Sequence, residues 1–310
     1  MMSIRDRLRR PAANARFERA RDTLDKGEYE EAARQFEAVV AEVDDWPDAW
    51  FNLGLAYKFL HAWPNSARCN ARAAELRPDY EEAWWNGGVA ATALRDWTMA
   101  RRCWRGIGIE PDDRDGPPEM NLGSSPVRLW APNGGRETIW GTRIDPCRLR
   151  IDSVPTPESG HRWADVILHD VVPNGTRFAS GQTWSVFDEL IRMDASPHPT
   201  HRSDVTVPTD DDWENLHERF HDAGLGIEDW SSSVRPICKQ CDTSTVHTHA
   251  SEADTTPIRL VVRSFGFGGP ASSVERVLGE WAGSGAGRAF ERLDDAQTWS
   301  PEPPEGGRVH

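Results

Sequence analysis

The feature that most constrains this chain is a 34-residue period in its first third. Residues 47–80 carry Trp50, Leu53, Gly54 and Tyr57 in their first half, then Ala73 and Pro78 near their end. Residues 81–114 repeat the plan at the same length: Trp84 stands 34 residues after Trp50, Gly88 34 after Gly54, and Trp104 34 after Asn70. The same interval counted backward defines residues 13–46, where Ala20 takes the small-residue place and Ala32 and Phe36 supply its partners. Within each copy the apolar residues recur three and four apart, so they share one helical face. Small residues at Ala20, Gly54 and Gly88 let two antiparallel helices approach closely, and Pro78 stops the second helix. One such hairpin cannot bury its apolar face alone, so copies stack, and three are about the minimum.

This pattern resembles the tetratricopeptide repeat. The resemblance covers residues 13–114, about a third of the chain, and departs most in the first copy, where Arg16 replaces the signature Trp. Ser66 and Asn70 also depart from it and are expected to loosen the packing of the second copy. The resemblance implies an α-solenoid in which the first helix of each repeat lines a concave side that takes a peptide or protein segment. Counting along those helices places Asn14, Phe17 and Arg21 on that side with Phe51, Leu55 and Lys58, and with Trp85, Val89 and Thr92. Phe17, Phe51 and Trp85 are 34 apart, which predicts an aromatic ladder in the groove. The competing expectation is that these rings only pack between neighbouring helices.

The chain has 310 residues, enough for two ordinary domains. Its net charge of −14 is unevenly spread: 18 basic and 20 acidic residues through Arg114, then 18 and 30. An acidic second half argues against a nucleic-acid partner, which requires a basic stripe. No run approaches the length of a membrane span, and MMSIRDRLRRPAANARF lacks the apolar core of a secretory signal. The five Cys form no even framework, which fits a reducing cytoplasm. Residues 1–12 read as a basic lead-in, and residues 115–125 (DGPPEMNLGSS) break the period as a linker.

Residues 126–282 change character. Residues 127–130, 138–140, 149–151, 165–169 and 202–207 read as strands, 184–192 as a strand or a helix, and 258–265 (IRLVVRSF) is the clearest strand. Residues 209–223 read as a helix capped by Thr209, with acidic residues in its first turn and Gly224 at its end. A capping box at Ser272 and Glu275 is expected to open a helix over 273–281, and residues 283–310 have the composition of a disordered tail. The fold class is thus an α-solenoid followed by a mixed α+β, mainly antiparallel domain. With PESGHRWADVILHD and CKQC, this half resembles a domain that accompanies such repeats in some bacterial proteins, and that resemblance implies no particular activity.

Three constellations carry possible chemistry. Cys238 and Cys241 are spaced to present two thiolates to one tetrahedral ion, and His247 and His249 can complete a structural zinc site. His217-Glu218-Arg219-Phe220-His221 matches HExxH, in which His217 and His221 would hold zinc while Glu218 activates water. Ile227 stands where the longer form of that motif has a third His, and Glu228 or Asp229 would have to substitute. The competing reading is a solvated helix with Trp213, Leu216 and Phe220 turned inward. Finally, His161, Asp165, His169 and Asp170 crowd one stretch and are either acid–base groups or local hydrogen-bonding ones. The function expected is that of a protein-interaction module rather than an enzyme. A zinc hydrolase is the first alternative, and an immunity-type or regulatory protein whose acidic domain neutralises a basic partner is the second.

Overall fold

The computed structural model describes residues 4–113, 115–132, 134–179, 181–233 and 262–295. By contacts the chain divides into two units, the change falling between Met120 and Asn121. Among the described residues, no helix is long and apolar enough to cross a membrane.

The first unit is three helical hairpins: α1 (Ile4–Asp25) with α2 (Tyr29–Glu42), α3 (Pro47–Phe59) with α4 (Trp63–Leu76), and α5 (Glu81–Ala93) with α6 (Trp97–Gly106). The basic lead-in is therefore continuous with the first helix. The small residues do what the period requires. A Cβ at Gly88 would lie 2.3 Å from the Trp104 ring, and one at Gly54 2.6 Å from Asn70 Nδ2. Each glycine thus admits a side chain from the second helix of its own hairpin. Ser66 and Asn70 do not loosen that contact. Both are fully buried, Ser66 Oγ donates to Gly54 O at 2.8 Å, and Asn70 Nδ2 donates to Ser66 O at 2.9 Å. A polar pair has replaced an apolar one and ties the two helices directly.

Other contacts repeat with the period. Trp50 Nε1 donates to Asp44 O at 2.8 Å, and Trp84 Nε1 donates to Pro78 O at 2.9 Å, so each signature indole anchors the turn preceding its helix. Phe17 stacks on Trp46 with centroids 4.5 Å apart, and Phe51 meets Tyr80 at 5.0 Å. Trp46 and Tyr80 are the N-cap residues of α3 and α5, so a first-helix ring in one repeat packs against the entry to the next. In the first copy, Arg16 pairs with Glu42 where the other copies place the Trp.

The second unit opens with β1 (Ser124–Trp130), β2 (Arg136–Arg143), β3 (Arg148–Ile151) and β4 (Val166–His169). A hairpin of β5 (Thr176–Ala179) and β6 (Gln182–Ser185) precedes β7 (Phe187–Asp194) and β8 (Thr200–Thr206). Then come α7 (Asp210–Asp222), β9 (Gly226–Asp229), α8 (Trp230–Ser233), β10 (Val262–Gly268), α9 (Ala271–Gly283), β11 (Ala289–Phe290) and β12 (Asp294–Asp295). Strands β1, β2, β3, β4 and β7 close a barrel, antiparallel except where β1 meets β7. Val127, Leu129, Ile139, Leu149, Ile151 and Ile167 fill it. A second sheet runs β11-β8-β10-β9, with β12 also on β8. Leu216 and Phe220 of α7 and Val274, Val277, Leu278 and Trp281 of α9 share one core with its Val205, Phe265 and Phe267.

Three expectations are corrected. The strand expected over 184–192 is two strands, because Val186 pairs back to Asn174 and Gly175 in a turn. Pro270 rather than Ser272 caps α9, without any side-chain hydrogen bond. Residues 284–295 of the expected tail are ordered: β11 and β12 pair with β8, and Ser203 Oγ donates to Glu291 O between them at 2.8 Å.

The small-residue contact gives a direct test. Gly88→Ala should cost about 1–3 kcal/mol, because the Trp104 ring it strikes is itself fully buried. Gly279→Ala, on an exposed part of α9 with nothing within 4 Å of the added carbon, should instead stabilise by roughly 0.5–1 kcal/mol. Chemical denaturation of both variants beside wild type reads the two signs.

Candidate partner-binding surface

The nine residues expected to line the groove divide sharply by exposure. Asn14 and Arg21 are exposed on α1, and Arg21 pairs with Glu18 at 2.9 Å. Phe51 and Leu55 on α3 and Trp85 on α5 are half-buried. Phe17, Lys58, Val89 and Thr92 are buried, so their side chains do not reach a groove. The physical reason differs among them. Phe17 lies between Trp46 and Phe36, its centroid 5.6 Å from the latter, and Val89 and Thr92 sit where α5 is covered on nearly all sides. Lys58 lays its ammonium 5.0 Å from the Phe59 ring centroid. The aromatic ladder exists in register but is mainly packing: Phe51 lies against Tyr80, and Trp85 lies 5.6 Å from Trp104.

The Tyr80 platform has an anchor. The Asp48 carboxylate accepts from Arg77 Nη1 at 3.1 Å and Nη2 at 2.7 Å, and Arg77 in turn lies over the Tyr80 ring, 4.5 Å from its centroid. Partial burial works to raise its pKa, but these donors and the Arg77 charge hold it below the ordinary carboxylate value. Nothing in the residue pattern pointed to Asp48. The usable signal was its place two residues before Trp50, with Arg77 at the end of the same repeat.

The HExxH helix is presented to solvent. Thr209 and Asp212 form a reciprocal capping box at its start, and Leu216 and Phe220 are buried beneath it. Trp213 lies 5.2 Å from Phe265, and Phe220 the same distance from Phe267. That packing turns His217, Glu218 and His221 outward, with the His221 side chain 83% exposed. His217 leans edge-on against Trp213, and these two residues with Glu214 and Glu218 line a shallow depression of about 320 Å³. Among the described residues, no group of three His, Cys, Asp or Glu is placed to hold a metal. Asp229 is engaged by Arg263 at 3.3 Å, and Glu228 is turned toward Ser153 and Glu137, so neither completes the motif. The solvated-helix reading accounts for every one of these contacts. Cys238, Cys241, His247 and His249 lie outside the described residues.

The stretch HRWADVILHD builds a buried ionic network instead of an open cleft. His161 Nε2 lies 2.9 Å from Glu189 Oε1, and His161 Nδ1 lies 3.3 Å from Asp165 Oδ2. Asp165 is fully buried and also accepts from Ser196 N at 2.6 Å and Arg162 N at 3.0 Å, with Arg192 at 3.5 Å. Glu189 and Arg192, on β7, were not singled out in the sequence, because charges inside a strand read as solvent-facing. Burial favours neutral His161, but the charges of Glu189 and Asp165 outweigh it and raise its pKa from 6.5 to about 9.

A folded pKa above the unfolded one makes the cation's contribution full below pH about 6.5 and lost as pH rises through about 9. Wild-type melting temperature should therefore fall over that interval, with Asp165, Glu189, Arg192 and the more distant Glu137 setting its shape. His161→Gln should cost about 3–5 kcal/mol at neutral pH, because two buried carboxylates lose their shared cation. It should also flatten the pH dependence. An unchanged profile in the variant would show that His161 is not the titrating group.

No protein-family model and no curated protein matches this chain. Among solved structures, it is similar to the second TPR of Spaghetti (RPAP3) bound to the HSP90 peptide SRMEEVD. Identity there is 20%, over 31% of this chain and 88% of that one, with a TM-score of 0.30. It is similar also to the TPR2B domain of yeast Sti1 in its pHsp70 complex, at 15% identity over 30% of this chain and 75% of that one, TM-score 0.29. The Sgt2 TPR domain from Aspergillus fumigatus matches at 19% identity over 33% and 71% of the two chains, TM-score 0.30.

Proposed function

We propose that this protein is an interaction module whose three hairpins hold an extended segment of a protein partner along their first helices. The observation that carries this reading is the register of Arg21 and Leu55. They occupy equivalent positions 34 residues apart on α1 and α3, and both keep accessible surface while the ring contacts beside them fix the helices. Two helices held rigidly by stacked aromatics offer a preformed surface, which lowers the ordering cost of binding. Asn14, Phe51 and Trp85 extend that surface along the same three helices. Leu55 and the exposed part of Phe51 supply apolar contact, while Asn14 and Arg21 supply polar donors to an extended backbone or its carboxylates.

Affinity capture with the full chain, followed by titration of the captured partner, tests the reading. Leu55→Asp and Arg21→Glu together should weaken binding at least tenfold, since each removes about 1–2 kcal/mol of interface contact. The circular dichroism of the variant is compared with wild type, because Arg21 is exposed but Leu55 is half-buried against the hairpin core. Undiminished affinity in a folded double variant would place the partner elsewhere.

A further inference from the structure

The second helices carry a period of their own. Arg34, Arg68 and Arg102 are spaced 34 apart, on α2, α4 and α6, and all three are exposed. Arg68 lies over the Trp50 ring, 5.8 Å from its centroid, and Arg102 lies over the Trp84 ring at 5.9 Å. The same guanidinium–indole pair is thus built twice, in consecutive repeats. Arg34 has no such ring, because Arg16 stands at the Trp position, and it pairs instead with Glu31. Arg72, one turn beyond Arg68, is engaged by Glu75 at 3.5 Å. Among the described residues, neither Arg68 nor Arg102 has a carboxylate within ion-pair distance.

A guanidinium within about 6 Å of an indole is attracted to its face, and its N–H groups can still donate. Two such forks, one repeat apart, are a recognition element for two carboxylates. We propose that Arg68–Trp50 and Arg102–Trp84 form a second docking surface, on the second helices, for an acidic segment of a partner protein. This surface is distinct from the one proposed on the first helices and does not depend on it. A nucleic acid is the poorer fit, because two forks neutralise too few phosphates to hold a strand. An acidic peptide needs only two well-placed side chains.

The test uses the full chain and a fluorescein-labelled oligoglutamate peptide, read by anisotropy at low ionic strength. Arg68→Gln with Arg102→Gln should weaken binding about tenfold or more, as expected for losing charge-assisted hydrogen bonds. Replacing both by Lys retains the charge without the planar fork and should recover only part of the affinity. Arg34→Gln, whose charge is already paired, and Leu55→Asp should leave binding unchanged. Absence of binding to wild type, equal affinity in the Gln variant, or full recovery with Lys would each overturn the proposal. So would a single-stranded oligonucleotide of equal charge binding more tightly through the same two arginines.

Discussion

The solenoid depends on the packing of a first-helix ring against the entry residue of the following repeat. Phe17 on Trp46 and Phe51 on Tyr80 are the same contact made twice, and Arg77, held by Asp48, lies over the Tyr80 ring. Six of the thirteen residues of α5 are alanine or glycine, and Gly54 and Gly88 let the second helix of each hairpin approach the first. Stability of the array must then come from interfaces between neighbours, as in other one-dimensional repeats. The Phe17–Trp46 and Phe51–Tyr80 contacts lie at the helix entries.

The second unit solves a different problem. Its barrel core is six aliphatic side chains, small for a closed five-stranded barrel, and the rest of its order comes from buried charge. His161 with Asp165, Glu189 and Arg192 forms one network. Arg128 with Asp188, 3.3 Å apart and joined by Asn174, forms another. Removing one member of such a network leaves uncompensated charge in a low-dielectric interior, so these groups fix geometry more than they add net stability. Where the barrel meets the second sheet, Trp230 Nε1 donates to Val154 O at 2.9 Å. Close by, burial raises the Glu228 pKa to about 7.

The repeat was legible in the sequence because its signal is redundant: a period, a helical face and a small residue coincide at Trp50, Leu53 and Gly54. Its surface was less legible. Spacing alone puts Phe17 in register with Phe51, Val89 with Leu55 and Thr92 with Lys58, yet burial depends on what the next helix brings, and periodicity does not carry that. In the second unit, long alternating runs such as the one that became β10 were readable, though its described span is Val262–Gly268. The two-residue strands β11 and β12 are too short to show any pattern, and their order comes from the edge of β8. The HExxH residues lie on the exposed face of an amphipathic helix whose Trp213, Leu216 and Phe220 face inward, which the motif alone does not tell.

If stacking between repeats holds the solenoid together, Phe51 and Tyr80 must be energetically coupled. A double-mutant cycle on the full chain, with Phe51→Leu, Tyr80→Leu and the pair measured by reversible denaturation, isolates that term. The coupling predicted is about 0.5–1.5 kcal/mol, the range of a well-formed aromatic pair. Strictly additive losses would contradict the account and assign the stability of the array to contacts within each hairpin.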